Sequence, residues 1–324
     1  MGWGRGLALA FAVAGCAVAA LLVGETSLDW REALVAGSMS NDVLWGLRLP
    51  RVVLALLVGA ALSAAGATLQ GVTRNPLADP FILGVSGGAA LGATLSLAAG
   101  FSGATLLGFS ATSAAALVGA AAATALVLFI GRVARGNATH TTLLAGVIFN
   151  AFALALVLFV KAFLAPDRLG EVLFWLAGSL GYESPSALAV TAVIVASALA
   201  VMGALSFQVN ALRLGDDDAL ALGVNVPKVR AMLVLASSAA VAAAVAVSGL
   251  VGFVGLLVPH LARRLWGADH RVLLPTSALL GAGFLVLADA VGRSAFHWLH
   301  AELPVGVVTA LLGGPAFLFL LVRR

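Results

Sequence analysis

The chain has 324 residues, of which 62% are hydrophobic and only 10% are charged, and its formal net charge is +4. A soluble globular protein carries about 25% charged residues, so this composition excludes a soluble fold. The basic residues are scattered at the ends of apolar runs, which excludes the basic patch of a nucleic-acid-binding protein and points to membrane topology instead.

Apolar runs of about 20 residues recur along the chain, as membrane-spanning helices require. A bilayer accepts only helices or a closed barrel, and these runs are too long and too rich in Ala and Leu for barrel strands. We therefore predict an all-α polytopic membrane protein in which residues 1–324 form one transmembrane domain. The ten predicted spans are residues 7–23, 50–71, 82–100, 104–130, 141–164, 186–206, 229–248, 251–265 (short enough for a half-span), 273–293 and 304–322.

The first span resembles the core of a signal peptide. The segment Val23-Gly24-Glu25 that follows it is a poor match to the small-x-small cleavage rule, so we expect the span to be retained. Cys16 lies inside it and is the only cysteine of the chain. An intrachain disulfide and a cysteine-based metal site are therefore both excluded.

A polar segment, residues 68–84, separates the second and third predicted spans. Arg74, Asn75 and Asp79 are too polar to rest in lipid, and Pro76 and Pro80 forbid one continuous helix. We predict that the chain surfaces here.

Three glycines follow at four-residue spacing in the third span, Gly84, Gly88 and Gly92. Small residues on one helix face let two backbones approach closely. The face serves either packing alone or the sliding of helices during transport.

Between the fifth and sixth spans, residues 169–180 form an amphipathic stretch that we place at the membrane interface. Residues 207–228 are the longest polar loop, and three acids from Asp216 onward open a short predicted helix that Gly223 ends. Asp216 is the candidate N-cap. The helix is either a solvated connector or a docking element for a cytoplasmic partner.

Three arginines lie at one predicted membrane face: Arg48 and Arg51 flank Pro50, and Arg293 ends the ninth span. They anchor lipid headgroups, form local ion pairs, or receive acidic residues of a soluble partner. Asp289 lies four residues before Arg293, a spacing that suits an intramembrane ion pair. An acid inside a span also suits a proton relay, although we favour the pair.

The distribution of Lys and Arg predicts the orientation. With the N-terminus inside, the outer side carries only Arg31, Arg48, Arg51, Lys161, Arg168 and Arg293. The inner side then carries Arg5, Arg74, Arg132, Arg135, Arg213, Lys228, Arg230, Arg263, Arg264, Arg271, Arg323 and Arg324. Both termini are therefore predicted to be cytoplasmic.

Candidate catalytic groups are scarce. Lys161 and Lys228 follow Val and Pro, so the sequence contains no Gly-Lys-Ser/Thr phosphate loop and no ATP site of that kind. The histidines His140, His260, His297 and His300 suit solvated or capping roles better than haem or metal ligation, and no metal site is expected. We expect no enzymatic activity, since no nucleophile, base or carboxylate pair converges.

Short motifs are spread over residues 45–320: LRLPR at 47–51, GAALSAAG at 59–66 with Gln70, RNPLADP at 74–80, LGVSGGA at 83–89, LLAGV at 143–147, GFVGLLVPH at 252–260, DHR at 269–271, LAD at 287–289 and ELPVGVVT at 302–309. Together they are similar to the iron-chelate and vitamin B12 permease family of bacterial ABC importers, the FecCD type. The resemblance implies a multi-pass protein of the bacterial inner membrane, in contact with membrane lipid.

The resemblance also implies partners. The expected assembly is a homodimer with two cytoplasmic ABC ATPase subunits, which hold the ATP and Mg, and a periplasmic substrate-binding protein; the chain itself is expected to hold no cofactor. In similar permeases, arginines matching Arg48, Arg51 and Arg293 receive glutamates of the binding protein. The inner gate maps onto Asn75 and Leu77, and on a second loop onto Thr139 and His140.

The ATPase-coupling motif of relatives reads Gly-Glu-x-x-Ala-x-x-Leu-Gly. Here its positions are Gly215, Asp216, Ala219, Leu222 and Gly223. Asp replaces Glu and shortens the acid by one methylene, which puts the contact with the ATPase in question.

Siderophore, haem and corrinoid all remain candidate ligands. The main competing function is a proton-coupled secondary transporter that uses Asp289; a membrane-embedded enzyme is the second.

Overall fold

The computed structural model describes residues 3–24, 29, 31–101, 105–106, 108–133 and 138–322. The described part is a helical bundle with one two-stranded hairpin. Its helices are α1 (Trp3–Leu22), α2 (Met39–Asn41), a π-helical segment (Asp42–Arg48), α3 (Leu49–Val72), a 3-10 helix (Pro80–Leu83), α4 (Val85–Ala98), α5 (Ala111–Val133), α6 (Ala138–Lys161), α7 (Pro166–Ala177), α8 (Pro185–Ala204), α9 (Ser206–Leu214), α10 (Asp216–Ala221), α11 (Val226–Ser248), α12 (Val254–Trp266), α13 (His270–Ser294), α14 (Phe296–Leu299) and α15 (Val305–Val322).

Each predicted span corresponds to a helix, and the all-α prediction is confirmed. Within the described part of the chain, seven helical stretches are long and apolar enough to cross a membrane. The helices α4 and α15 are shorter apolar helices, and α12, the span predicted to be short, has 13 residues. The bundle therefore combines full-length spans with three shorter helices.

The centre of the bundle is built from α3, α11 and α13. In the most apolar part of the helical stretches that contain α3 and α11, 78% of the residues are buried. The helices α3 and α13 touch backbone to backbone, because a Cβ atom on Gly59 would collide with the carbonyl oxygen of Gly281. Gly66 meets the backbone of Gly255 on α12 in the same way. Glycine makes this close approach of helices possible.

The predicted start of the second span at residue 50 was wrong. The helical run begins at Met39 and passes through the π-helical segment before α3. Pro50 explains the π-helical turn, because its ring clashes with the carbonyl of an α-helix one turn earlier. A wider turn relieves the clash, and the N–H of Leu49 donates to the carbonyl of Leu44, five residues earlier.

The predicted start of the fourth span at residue 104 was also wrong. A hairpin of β1 (Thr105–Leu106) and β2 (Phe109–Ser110) comes first, paired antiparallel with Leu106 opposite Phe109. The helix α5 then begins at Ala111, and the Ser110 hydroxyl accepts the N–H of Ser113. The helix is therefore capped where the sequence predicted its interior.

The glycines of α4 pack against α5. Cβ atoms on Gly88 and Gly92 would collide with the backbone oxygens of Gly119 and Ala115. The packing role predicted for this face is confirmed; whether the helices slide stays a prediction.

The break between α3 and α4 is confirmed. The helix α3 ends at Val72, and Arg74 adopts a left-handed conformation with φ 53°. The Asp79 side chain then accepts the N–H of Phe81 at 2.8 Å and caps the 3-10 helix that Pro80 begins. Burial raises the pKa of Asp79, against the effect of this hydrogen bond.

The predicted amphipathic stretch is α7, which starts slightly earlier, at Pro166. The long polar loop contains α9 in addition to the predicted short helix α10. The helix α9 was missed because only Leu205 separates it from α8. It is fixed to α13: the Asn210 side chain donates to Asp269 at 2.6 Å and accepts the N–H of His270 at 2.9 Å.

Candidate functional site

Two groups of charged residues lie at opposite ends of α3. The helix has 24 residues, so its ends are about 36 Å apart. The first group, here called the α3–α13 charge cluster, consists of Arg51, Asp289, Arg293 and Glu302. The second, the α10 charge cluster, consists of Arg74, Asp216 and Arg230.

Asp289 is the centre of the α3–α13 charge cluster. Its Oδ1 accepts Nε of Arg51 at 3.0 Å, and its Oδ2 accepts Nε of Arg293 at 2.9 Å. The Asp289 and Arg293 side chains are only 2% and 3% exposed. The spacing of four residues indicated the pair with Arg293, whereas the contact with Arg51 was not foreseen.

Glu302 completes this cluster at its exposed rim. Arg51 binds it with both terminal nitrogens, Nη2 to Oε2 at 2.9 Å and Nη1 to Oε1 at 3.3 Å. This bidentate geometry is the strong form of an arginine–carboxylate contact. Arg51 and Glu302 are 23% and 30% exposed, so they are the part of the cluster that another molecule can reach.

Arg48 and Arg293 fix the end of the first helix to the cluster. Arg48 donates to the carbonyl of Leu21 at 2.8 Å, and Arg293 donates to the carbonyls of Ala20, at 3.0 Å, and Val23. A helix leaves its last carbonyls without partners and carries a partial negative charge there, so two cations stabilise this end.

Of the three predicted docking arginines, only Arg51 reaches the surface of the single chain. The residues Arg48 and Arg293 are 6% and 3% exposed. The structure brings all three arginines to the same end of the bundle, as predicted. The two buried ones bind carbonyls at the end of α1. Their docking role stays a prediction.

In the α10 charge cluster, Asp216 joins two elements to α10. Its carboxylate accepts from Arg74 at 3.0 Å and from Arg230, on α11, at 2.9 and 3.1 Å. The predicted N-cap role of Asp216 was wrong, because Gly215 is the N-cap and the Asp216 side chain turns to the two arginines instead.

The C-terminal end of α10 has the geometry that Gly223 predicted. Gly223 has φ 80° and donates to the carbonyl of Leu220, while the N–H of Val224 reaches the carbonyl of Ala219. These two bonds form a Schellman motif, in which glycine ends the helix. Ala219 is buried, whereas Leu220 and Leu222 are more than half exposed. The helix therefore presents two leucines outward.

The first predicted gate loop lies beside this cluster. Asn75 accepts the N–H of Leu77 at 2.9 Å, and Leu77 is 43% exposed. Since Arg74 is the residue before Asn75, its bond to Asp216 connects this turn to α10. Thr139 and His140 lie in the first turn of α6, where the side chains are outside the described part of the chain.

The histidines do not assemble into a site in the part of the chain that the structure describes. His260 is half-buried in α12, and His300 is exposed after α14; the side chain of His297 is not described. Among the described residues, no group of three or more His, Cys, Asp and Glu side chains could hold a metal ion.

Glu183 is an ionisable residue that no sequence motif indicated. It lies between α7 and α8 and accepts the hydroxyl of Ser113 at 3.2 Å. Burial raises the pKa of its carboxyl to about 6, partly offset by that hydrogen bond.

Known proteins resemble this chain over nearly its whole length. The profile of the FecCD transport family matches residues 11–323. YvrB of Bacillus subtilis, named as an uncharacterized ABC transporter permease protein, is 44% identical over 88% of this chain and 80% of its own length. The hemin transport system permease protein HmuU of Yersinia pestis is 41% identical over 93% of this chain and 90% of its own.

More distant relatives carry the names of other ligands. Proteins of 36–40% identity are named for iron chelatin, molybdate or vitamin B12 import. A solved structure of a metal-chelate type ABC transporter in an inward-facing conformation superposes with a TM-score of 0.85 at 33% identity and covers 98% of both chains.

Proposed function

The chain belongs to the FecCD transport family, and we propose that two copies of it form a membrane path powered by two separate ATPase subunits. It is a multi-pass membrane protein and the permease of an ABC importer of the iron-chelate, haem and vitamin B12 type. ATP and Mg belong to the partner ATPase in this proposal, because the sequence has no phosphate loop.

The observation that carries the proposal is the attachment of α10. Its leucines Leu220 and Leu222 offer apolar contact to a cytoplasmic groove, and Asp216 binds the residue next to the gate turn. Closure of an ATPase pair around α10 then moves Arg74, and with it Asn75 and Leu77. The second gate loop, with Thr139 and His140, is the opposing part of the gate.

The α3–α13 charge cluster supports delivery by a periplasmic binding protein. An acidic residue of such a partner meets Arg51 first and takes the place of Glu302. Arg48 and Arg293 hold α1, α3 and α13 together beneath this contact. In the proposed orientation, this cluster faces the periplasm, the α10 charge cluster faces the cytoplasm, and both termini are cytoplasmic.

Reconstitution tests the proposal. The chain is placed in liposomes with its ATPase and binding protein, and siderophore, haem, corrinoid and molybdate are offered separately. We expect one ligand class to stimulate ATP turnover and to accumulate in the vesicles. Accumulation by the chain alone, without an ATPase, contradicts the proposal.

Proton-coupled transport by Asp289 is the competing function. To relay protons, Asp289 would have to leave both Arg51 and Arg293. Under that function, a protonophore stops uptake at once while ATP is still present. Under ours, uptake continues as long as the ATPase works.

A further inference from the structure

A crevice of about 640 Å³ opens beside the α10 charge cluster. It lies between the C-terminal ends of α3 and α5 and the N-terminal ends of α6 and α11. Its walls are mostly apolar and include Leu69, Val72, Leu83, Leu128, Leu143 and Val234. Among the residues whose side chains the structure describes, neither the predicted gate residues Asn75 and Leu77 nor the α3–α13 charge cluster lines it.

Three cations share the rim of this crevice: Arg132, Lys228 and Arg230. Arg132 and Lys228 are exposed, whereas Arg230 is half-buried. The described residues that line the crevice include no Asp or Glu. The Nε atom of Arg230 is buried without a hydrogen-bond partner among the described residues, although its Nη2 binds Asp216.

The apolar wall continues onto the outside of the bundle. Met232 and Leu235 line the crevice and are 39% and 48% exposed. A chain of methylene groups can therefore run from the crevice into surrounding hydrocarbon without crossing a polar residue of this wall. The cations lie at the ends of the spans, where a phospholipid headgroup lies.

We propose that this crevice binds an anionic phospholipid. The phosphate lies among Arg132, Lys228 and Arg230, and one acyl chain lies along Leu69, Leu128 and Leu143. Charge complementarity identifies the headgroup, since basic pockets between spans bind anionic lipids on the cytoplasmic side. A free phosphate would leave the apolar walls unfilled.

A lipid in this crevice affects the proposed coupling between α10 and the ATPase. Arg230 lies at the rim of the crevice and also holds Asp216, so a bound phosphate shares that arginine with α10. Occupancy of the site should therefore change how firmly α10 is attached. This consequence rests on the proposed function of α10, whereas lipid binding itself does not.

The test compares lipid retention by the purified full chain without any ATPase. The chain is incubated with vesicles of phosphatidylglycerol or of phosphatidylcholine, separated from them in mild detergent, and analysed for bound lipid by native mass spectrometry. We expect clear retention of phosphatidylglycerol over phosphatidylcholine. Equal retention of both lipids overturns the proposal.

Two variants probe the two halves of the site. R132Q/K228Q removes two of the cations and keeps Arg230, and we expect about tenfold less retained phosphatidylglycerol. A231F fills the crevice without a change of charge and should also reduce retention. The matched control, R5Q/R264Q, removes two exposed basic charges on the same membrane side and should behave as wild type.

Inorganic phosphate distinguishes the two sources of the anion. We expect millimolar phosphate neither to displace phosphatidylglycerol nor to raise the melting temperature. If phosphate raises the melting temperature as much as the lipid does, the crevice is a site for free anions and the lipid proposal is overturned. Unchanged retention by R132Q/K228Q likewise overturns the proposal.

Discussion

Arg74 and Asp216 are 142 positions apart in the chain, yet Nη2 of the arginine lies 3.0 Å from Oδ1 of the acid. The contact joins the turn after α3 to α10. Both side chains are more than two-fifths exposed, so the pair stabilises the fold by only about 0–1 kcal/mol. Its importance lies in the two elements that it joins.

We therefore expect D216N to impair coupling without unfolding the chain. The variant keeps the shape of the side chain but loses the charge that attracts Arg74 and Arg230. Ligand uptake per ATP hydrolysed in the reconstituted system should fall several-fold, while the melting temperature changes by no more than about 2 °C.

Two controls sharpen this experiment. D217N changes the neighbouring exposed acid, which takes part in neither ion pair, and should leave uptake unchanged. D216E restores the longer acid of similar permeases and should retain coupling. Full coupling in D216N would show that the ion pairs do not transmit the motion of α10.

We expect substitution of Asp289 to lower the stability of the folded chain. It is the acid that lies between Arg51 and Arg293, and D289N leaves the buried Arg293 guanidinium without its carboxylate. Breaking a buried pair from one side costs about 3–5 kcal/mol. We expect a large fall in melting temperature or in the yield of folded protein in detergent.

Glu302, at the exposed rim of the α3–α13 charge cluster, provides the variant for comparison. E302Q keeps Asp289 as a partner for Arg51, and Glu302 is 30% exposed, so the cost should stay near 1 kcal/mol. Equal destabilisation by D289N and E302Q contradicts the central position of Asp289.

The sequence predicts the helical spans well, but it does not predict which side chains meet between helices. Apolar runs predicted each span because hydropathy is a local property. The contacts of Arg51 with Asp289 and Glu302 join positions 238 and 251 residues apart, and spacing within one helix reveals only the i, i+4 pair with Arg293. Span boundaries failed for local reasons, as at Pro50, where a π-helical segment lengthened the helix.

Helix packing at Gly59 provides a test of the fold itself. We expect G59A to be destabilising, because its Cβ would collide with the carbonyl oxygen of Gly281. Overpacking of this kind costs about 1–3 kcal/mol, which outweighs the gain of about 1 kcal/mol in helix propensity from Gly to Ala.

The matched control for this variant is G170A on α7. Apart from its chain neighbours and the backbone of its own helix, no described heavy atom lies within 4 Å of a Cβ built on Gly170, so only the propensity gain remains. We expect its melting temperature to equal or exceed that of wild type. A higher melting temperature for G59A as well would contradict the close contact of α3 with α13.

Glu183 predicts a dependence of stability on pH. Burial raises the pKa of its carboxyl from 4.5 to about 6 in the folded chain. The folded state therefore binds the proton more tightly than the unfolded state, and stability falls as the pH rises from below 4.5 through about 6. Because Glu183 is partly solvated, we expect the effect to be about 1 kcal/mol, less than the full shift implies.

The variant E183Q isolates this contribution. Glutamine keeps an oxygen that can accept the hydroxyl of Ser113 but cannot ionise. All other titrating groups are common to both proteins, so the difference in melting temperature reports Glu183 alone. E183Q should match wild type near pH 4 and exceed it above pH 7; a constant difference, or one that favours wild type at high pH, would show that the Glu183 carboxylate is well solvated or stabilised.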